Sequence, residues 1–180
     1  MVYLFLAEGF EEIEALCPVD MLKRANIPVT TVSVGDSIEV TGAHGICVKA
    51  DITYAQTDLA DADMLVLPGG MPGTLNLWAC DALVSAVKIF AQSGGLVAAI
   101  CAAPLILGRA GLLEGKEATC YPGFEDELKG ATVSDKKVAV SDNIITAAGM
   151  GVAVDFSCAL IDAIKGEGES APIKAAIQCP

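Results

Sequence analysis

The run Leu96-Val97-Ala98-Ala99-Ile100 passes directly into Cys101 and then into Ala102-Ala103-Pro104-Leu105-Ile106-Leu107. A short apolar run entered through Ser93-Gly94-Gly95 reads as a strand covered on both faces, which requires a sheet sandwiched between helices. Pro104 stands where a first-turn proline is tolerated, because that N–H has no intrahelical partner. Cys101 therefore sits on a sharp strand-to-helix turn at the carboxyl end of a buried strand. Ala99, Ala102 and Ala103 provide the small neighbours that such a bend needs, as glycines do at a nucleophile elbow. The N–H groups that open the following helix favour a thiolate. The competing reading, a packed core cysteine, is the usual fate of a free thiol, and spacing alone leaves both open.

Two further strand-to-loop junctions bear on the choice. Met64-Leu65-Val66-Leu67 runs into Pro68-Gly69-Gly70, and the strand Val2–Ala7 is followed by Gly9-Phe10-Glu11-Glu12-Ile13-Glu14. Taken in order, G-F-E-E-I-E-A, V-L-P-G-G-M-P-G and A-A-I-C-A-A-P resemble the ThiJ/PfpI superfamily, in its DJ-1-like branch. The resemblance runs over nearly the whole chain, through Thr146–Phe156. It implies that Cys101 is the reactive thiol, that Glu14 is the carboxyl group beside it, and that backbone N–H groups around Gly69, Gly70 and Ala102 form an oxyanion site. The spacing of the residues does not separate Glu14 from Glu11 and Glu12, which are all first-turn acids. Departure from the family pattern occurs in Thr119-Cys120-Tyr121-Pro122, where Tyr121 stands at the family's histidine position near the site.

The 180 residues, 53% hydrophobic, are read as one domain, 1–180, with ample core. A net charge of -12 and an aromatic content of 5% argue against a nucleic-acid or anionic-membrane surface. Seven cysteines without a C-x-x-C pair and one histidine, His44, provide no metal-ligand spacing. No metal or other cofactor is expected, and His44 is placed on a surface loop away from the elbow. Scattered thiols point to a reducing, cytoplasmic compartment. Met1–Ala7 lacks the basic start of a signal peptide. The uncharged stretch Ile89–Gly108 is long enough to span a membrane, but Gln92-Ser93-Gly94-Gly95 and Pro104 divide it into helix end, turn, strand and helix start.

Along the chain, Glu11–Ala25 has helical spacing, with Pro18 expected to kink it or free one carbonyl and Asn26 as its C-cap. Cys17 is expected on the inward face beside Glu14. Val29–Val34 reads as a strand, and Ile38–Val40 with Gly45–Lys49 as a hairpin excursion. Thr74–Gln92 reads as two helical pieces broken near Cys80-Asp81, with Leu83, Val87 and Phe90 in the core. A short strand at Ala118–Tyr121 and a helical turn at Gly123–Leu128 follow. Lys136–Ser141 and Asn143–Ala148 form a hairpin, Val152–Ile164 a helix, and Pro172–Gln178 a last helical pattern. Alternating strands and helices predict a doubly wound, mostly parallel α/β sheet with helices on both faces, flavodoxin-like and similar to class I glutamine amidotransferases, with its site at the switch point.

A thiolate beside a carboxyl group and backbone donors can add to a carbonyl carbon. What the resemblance implies is a cofactor-free glyoxalase or deglycase acting on small 2-oxoaldehydes or their adducts. The alternatives are a redox sensor or chaperone of the oxidative-stress response, built on an oxidisable thiol, and a PfpI-type protease or amidase. The resemblance also implies a homodimer joined through the first helix and the hairpin, involving Ile13, Asp20, Arg24, His44 and Cys47.

Overall fold

The computed structural model describes residues 1–179. Seven strands form the central sheet: β1 (Val2–Leu6), β2 (Val29–Ser33), β5 (Ile52–Thr53), β6 (Met64–Leu67), β7 (Leu96–Ile100), β10 (Val138–Ser141) and β11 (Ile144–Ala147). Their order is β10-β11-β7-β6-β1-β2-β5, and every pairing is parallel except β10 with β11. Outside it, β3 (Glu39–Thr41) and β4 (Cys47–Lys49) make the expected hairpin, and β8 (Glu117–Ala118) pairs with β9 (Thr132–Val133). The helices are α1 (Glu12–Arg24), α2 (Gly73–Trp78), α3 (Asp81–Gln92), α4 (Pro104–Arg109), α5 (Ala153–Lys165) and α6 (Ala171–Ala176). The doubly wound, mostly parallel sheet expected from the alternating pattern is the fold observed.

Period-two alternation divides the core. Val2, Leu4 and Leu6 of β1, with Val66, Ala98 and Ile100, face α1 and α5 through Met21, Leu22, Phe156 and Leu160. Tyr3, Phe5, Leu65, Leu67, Val97 and Ala99 face the other way, onto α2, α3 and α4. Neither face is left to solvent, which explains why the strands read as unbroken apolar runs. The chain winds outward in opposite directions from the neighbouring strands β1 and β6, so a crevice opens above their carboxyl ends.

Several local expectations need adjustment. α1 continues through Pro18, so the cost falls on the Glu14 carbonyl, which has no N–H four residues on. Ala25 is the C-cap and Asn26 follows it in the left-handed region, φ 55°. Phe90 is half-buried rather than core, its ring lying against the backbone of Gly95. The strand expected over Ala118–Tyr121 is confined to Glu117–Ala118, since Tyr121 N–H donates instead to the Cys101 carbonyl (2.8 Å). β5 went unread because two half-buried residues carry no periodic signal.

Phe156 is fully buried under the sheet, whereas Ile89 on α3 is 68% exposed. Phe156→Ala is expected to lower unfolding free energy by about 3–5 kcal/mol, and Ile89→Ala by less than about 0.5 kcal/mol. Chemical denaturation checks the ordering.

Candidate functional site

The turn after β7 is strained as well as sharp. Cys101 has φ 64°, a left-handed conformation that costs a non-glycine residue roughly 1–2 kcal/mol. Three backbone hydrogen bonds hold it there: Cys101 N–H to the Ala147 carbonyl (2.8 Å), Ala103 N–H to the Ile100 carbonyl (3.0 Å) and Tyr121 N–H to the Cys101 carbonyl (2.8 Å). This conformation turns the thiol out of the strand, towards the crevice.

Glu14 reaches the same point from α1. It is 1% exposed, and it hydrogen-bonds the Cys101 thiol. Gly69 N–H donates to its Oε2 at 3.0 Å, and Met150 N–H faces the same carboxylate. Glu11, at the N-cap, accepts the Glu14 N–H through its Oε2 (2.7 Å). Gly69 has to be glycine: a Cβ there would lie 2.6 Å from Glu14 Oε2 and 2.7 Å from Cys101 Cβ. Gly70, at φ 89°, packs against the backbone of Phe10 and Glu11.

Each group shifts the other in the opposite sense: the Cys101 hydrogen bond favours the Glu14 carboxylate, whereas the Glu14 charge disfavours the thiolate. Burial pushes Glu14 up to about 7, and the neighbouring Glu11 charge adds to the rise against the hydrogen bonds it accepts. Burial likewise pushes the Cys101 thiol up to about 12, helped by the Glu14 charge beside it. The helix N–H groups expected to favour a thiolate are therefore outweighed while Glu14 is charged. The pair behaves as one unit that holds a single negative charge and keeps its other proton between sulfur and carboxyl oxygen. Gly70 and Ala102 N–H groups face the sulfur, and Gly69 and Met150 N–H groups face the carboxylate. Each anionic form thus has two backbone donors, so the proton can cross without stranding a bare charge.

Of the three backbone groups expected near an oxyanion, Gly70 and Ala102 face the sulfur, while Gly69 is committed to Glu14. Tyr121 is half exposed, and its ring lies over Gly149 on the side of Glu14 Oε1. Cys17 turns away from the site, its Sγ 3.7 Å from Ser157 Oγ on α5. His44 hydrogen-bonds Glu12 rather than Cys101, Nδ1 to Oε2 at 2.8 Å. That contact was not anticipated, because the partners are 32 positions apart and neither lies in a motif. Glu11 as the cap of Glu14 was also missed, since serine, threonine, aspartate and asparagine are the usual signals there.

A strained thiol on the turn after a parallel strand, with a buried carboxyl at the switch point, defines an α/β protein of the nucleophile-elbow kind. Its family is specific: the DJ-1/PfpI family model matches residues 1–163, and the chain belongs to that family. It is 37% identical over 174 residues to Protein DJ-1 homolog B of Arabidopsis thaliana, covering 96% of this chain and 40% of that protein. It is 32% identical to Protein dj-1beta of Drosophila melanogaster, covering 91% and 89% of the two chains. The oxidized Toxoplasma gondii DJ-1 structure superposes with a TM-score of 0.94 at 35% identity, over 99% and 97% of the chains. This chain thus spans about two fifths of the length of the Arabidopsis relative. Among the described residues, no helix is long and apolar enough to cross a membrane.

Cys101 is expected to alkylate first among the seven thiols, and Gly69→Ala to slow that reaction selectively by displacing Glu14. Limited iodoacetamide labelling with peptide mass spectrometry checks both; preferential labelling of Cys17, Cys120 or Cys158 contradicts the assignment.

Proposed function

We propose that the chain is a cofactor-free, cysteine-dependent enzyme of glyoxalase or deglycase type, acting on small 2-oxoaldehydes or their adducts. One observation carries this reading: a strained Cys101 lies against a buried Glu14, with no imidazole at either group. The Cys101 sulfur forms a bond to the aldehyde carbon, and the carbonyl electron pair moves onto oxygen, facing the N–H groups of Gly70 and Ala102. Glu14 holds the thiol proton and passes it to that oxygen, giving a hemithioacetal. Glu14 then takes the proton from the former aldehyde carbon and returns one at the neighbouring carbon, through an enediol. Water cleaves the resulting thioester to a hydroxy acid and restores the thiol. The net change is addition of one water, with no external oxidant or reductant.

Amide hydrolysis asks for more, because a leaving amine must be protonated, ordinarily by histidine. The one histidine is engaged with Glu12, and the sequence holds no second imidazole to take its place. Peptidase or amidase activity is therefore expected to be negligible. The same thiol–carboxyl pair would also serve a redox sensor, since Glu14 can hydrogen-bond an oxidised sulfur. All seven cysteines are unpaired, in keeping with a reducing, cytoplasmic setting.

Methylglyoxal turnover, followed as lactate, is expected to vanish in Cys101→Ser and to fall about 10²–10⁴-fold in Glu14→Gln. Tyr121→Phe should retain most of it. No lactate from a folded wild-type protein, with stoichiometric peroxide oxidation at Cys101, would favour the sensor instead.

We further propose a homodimer through α1 and the β3–β4 hairpin. Ile13 (49% exposed) and Ile46 (55% exposed) leave apolar surface open on these elements, which the Glu12–His44 contact joins. Cys47 is exposed beside them, and Asp20 and Arg24 pair on the outer face of α1 at 2.6 Å. An isologous patch suits a two-fold dimer. Light scattering at micromolar concentration is expected to give twice the chain mass, and a monomer mass would refute the interface.

A further inference from the structure

The exposed apolar side chains of the described residues are not spread evenly. Ile13, Leu16 and Ile46 lie on α1 and the hairpin, the elements of the proposed dimer. Met71, Tyr121 and Met150, which are 45%, 51% and 52% exposed, lie instead on the loops that hold the Cys101–Glu14 pair. Met71 directly follows Gly70, whose N–H faces the sulfur. Met150 N–H faces the Glu14 carboxylate. Tyr121 N–H holds the Cys101 carbonyl, and its ring shares the space above Gly149 with Glu14: a Cβ on Gly149 would lie 3.2 Å from the ring and 3.9 Å from Glu14 Oε1. The loops after β6, β8 and β11 thus each bring one backbone N–H to the pair and leave one large apolar surface in water beside it.

The chemistry at the pair decides which way a substrate extends. In the hemithioacetal, the former aldehyde carbon carries sulfur, oxygen, hydrogen and the second carbon. Three of these are committed: the sulfur is Cys101, the oxygen faces the Gly70 and Ala102 N–H groups, and the hydrogen is the one Glu14 removes. The second carbon and its substituent take the remaining direction, out of the crevice and onto the rim.

We infer that Met71, Tyr121 and Met150 form a subsite for that outer substituent and select 2-oxoaldehydes in which it is aryl or branched alkyl, a selection that rests on the carbonyl reading of the Cys101 site. Large apolar side chains gain by being covered. Thioethers adapt to more than one shape, and an aromatic ring accepts edge or face contact. A methyl substituent covers little of this surface. A carboxylate substituent meets the negative charge of the pair on a chain of net charge -12. A polyhydroxylated one would give up water against thioethers, which are weak acceptors.

Two pairs of probes that differ in this substituent test the subsite. Methylglyoxal and phenylglyoxal are followed as lactate and mandelate. Chloroacetone and 2-chloroacetophenone alkylate Cys101, the sulfur displacing chloride and the thiol proton leaving to buffer through Glu14, with N-acetylcysteine as the free-thiol reference. Relative to that reference, the wild type is expected to favour 2-chloroacetophenone by about tenfold, the low end for an apolar contact, and to turn over phenylglyoxal more efficiently than methylglyoxal. Met71→Ala and Tyr121→Ala should each lower the alkylation preference, and the double variant should return it to the free-thiol ratio. Met71→Ala should retain lactate formation, and Tyr121→Phe, which keeps the ring, should retain the preference. A wild-type ratio equal to that of N-acetylcysteine overturns the subsite, as does a preference that survives the double variant. If neither lactate nor mandelate forms, the enzymatic reading fails, and the alkylation ratio alone decides for or against the subsite.

Discussion

The contact between Glu14 and Cys101 sets conditions that much of the fold meets. A carboxyl group that is 1% exposed and pushed up to about 7 by burial is costly to keep there. It is tolerated because Gly69 and Met150 N–H groups and the Cys101 thiol all face it as donors. Those donors come from separate loops after β6 and β11, so the sheet register has to bring both loops to the start of α1. The left-handed turn at Cys101 is a second local cost, carried by hydrogen bonds to Ala147 and Tyr121. Local stability is given up at this point and recovered by the packed layers on either side of the sheet.

Neither group alone has the environment usually associated with a reactive thiol. Among the described residues no lysine, arginine or imidazolium faces Cys101, and the neighbouring charge is negative. Reactivity in such a site depends on moving a proton within the pair rather than on a permanently ionised sulfur. The consequence is selectivity for chemistry that returns the proton close to where it left. Carbonyl addition does so: the new oxyanion takes back the proton Glu14 was holding. Expulsion of an amine does not, because the proton is needed on the far side of the scissile bond.

Most of this architecture was legible in the sequence because its signals are local. Unbroken apolar runs marked β1, β6 and β7, and Pro104 after Cys101 marked the elbow. Glycines at 69 and 70 marked a close approach, although only the folded structure shows that Gly69 gives way to Glu14 rather than to an oxyanion. Side-chain direction was less legible. Cys17 is three residues from Glu14, and helical spacing placed both inward, yet Cys17 packs on Ser157 of α5. The bury-or-expose pattern fixes which face of a helix is covered, and two different partners cover adjacent parts of that face.

The three first-turn glutamates show why composition could not assign them. Successive helical residues point about 100° apart, so acids at positions 11, 12 and 14 address three different surroundings. Glu11 folds back to cap the Glu14 amide, Glu12 turns to the hairpin and His44, and Glu14 enters the crevice. Pro18 adds a detail at the same turn: lacking an N–H, it leaves the Glu14 carbonyl without its usual partner. Glu14 is therefore presented by a turn with one fewer internal hydrogen bond, steadied from outside by Glu11 and the hairpin. The helix start is accordingly a joint between the thiol site and the outer surface. A change of charge at Glu11 acts on the same backbone turn that aims Glu14 at the sulfur.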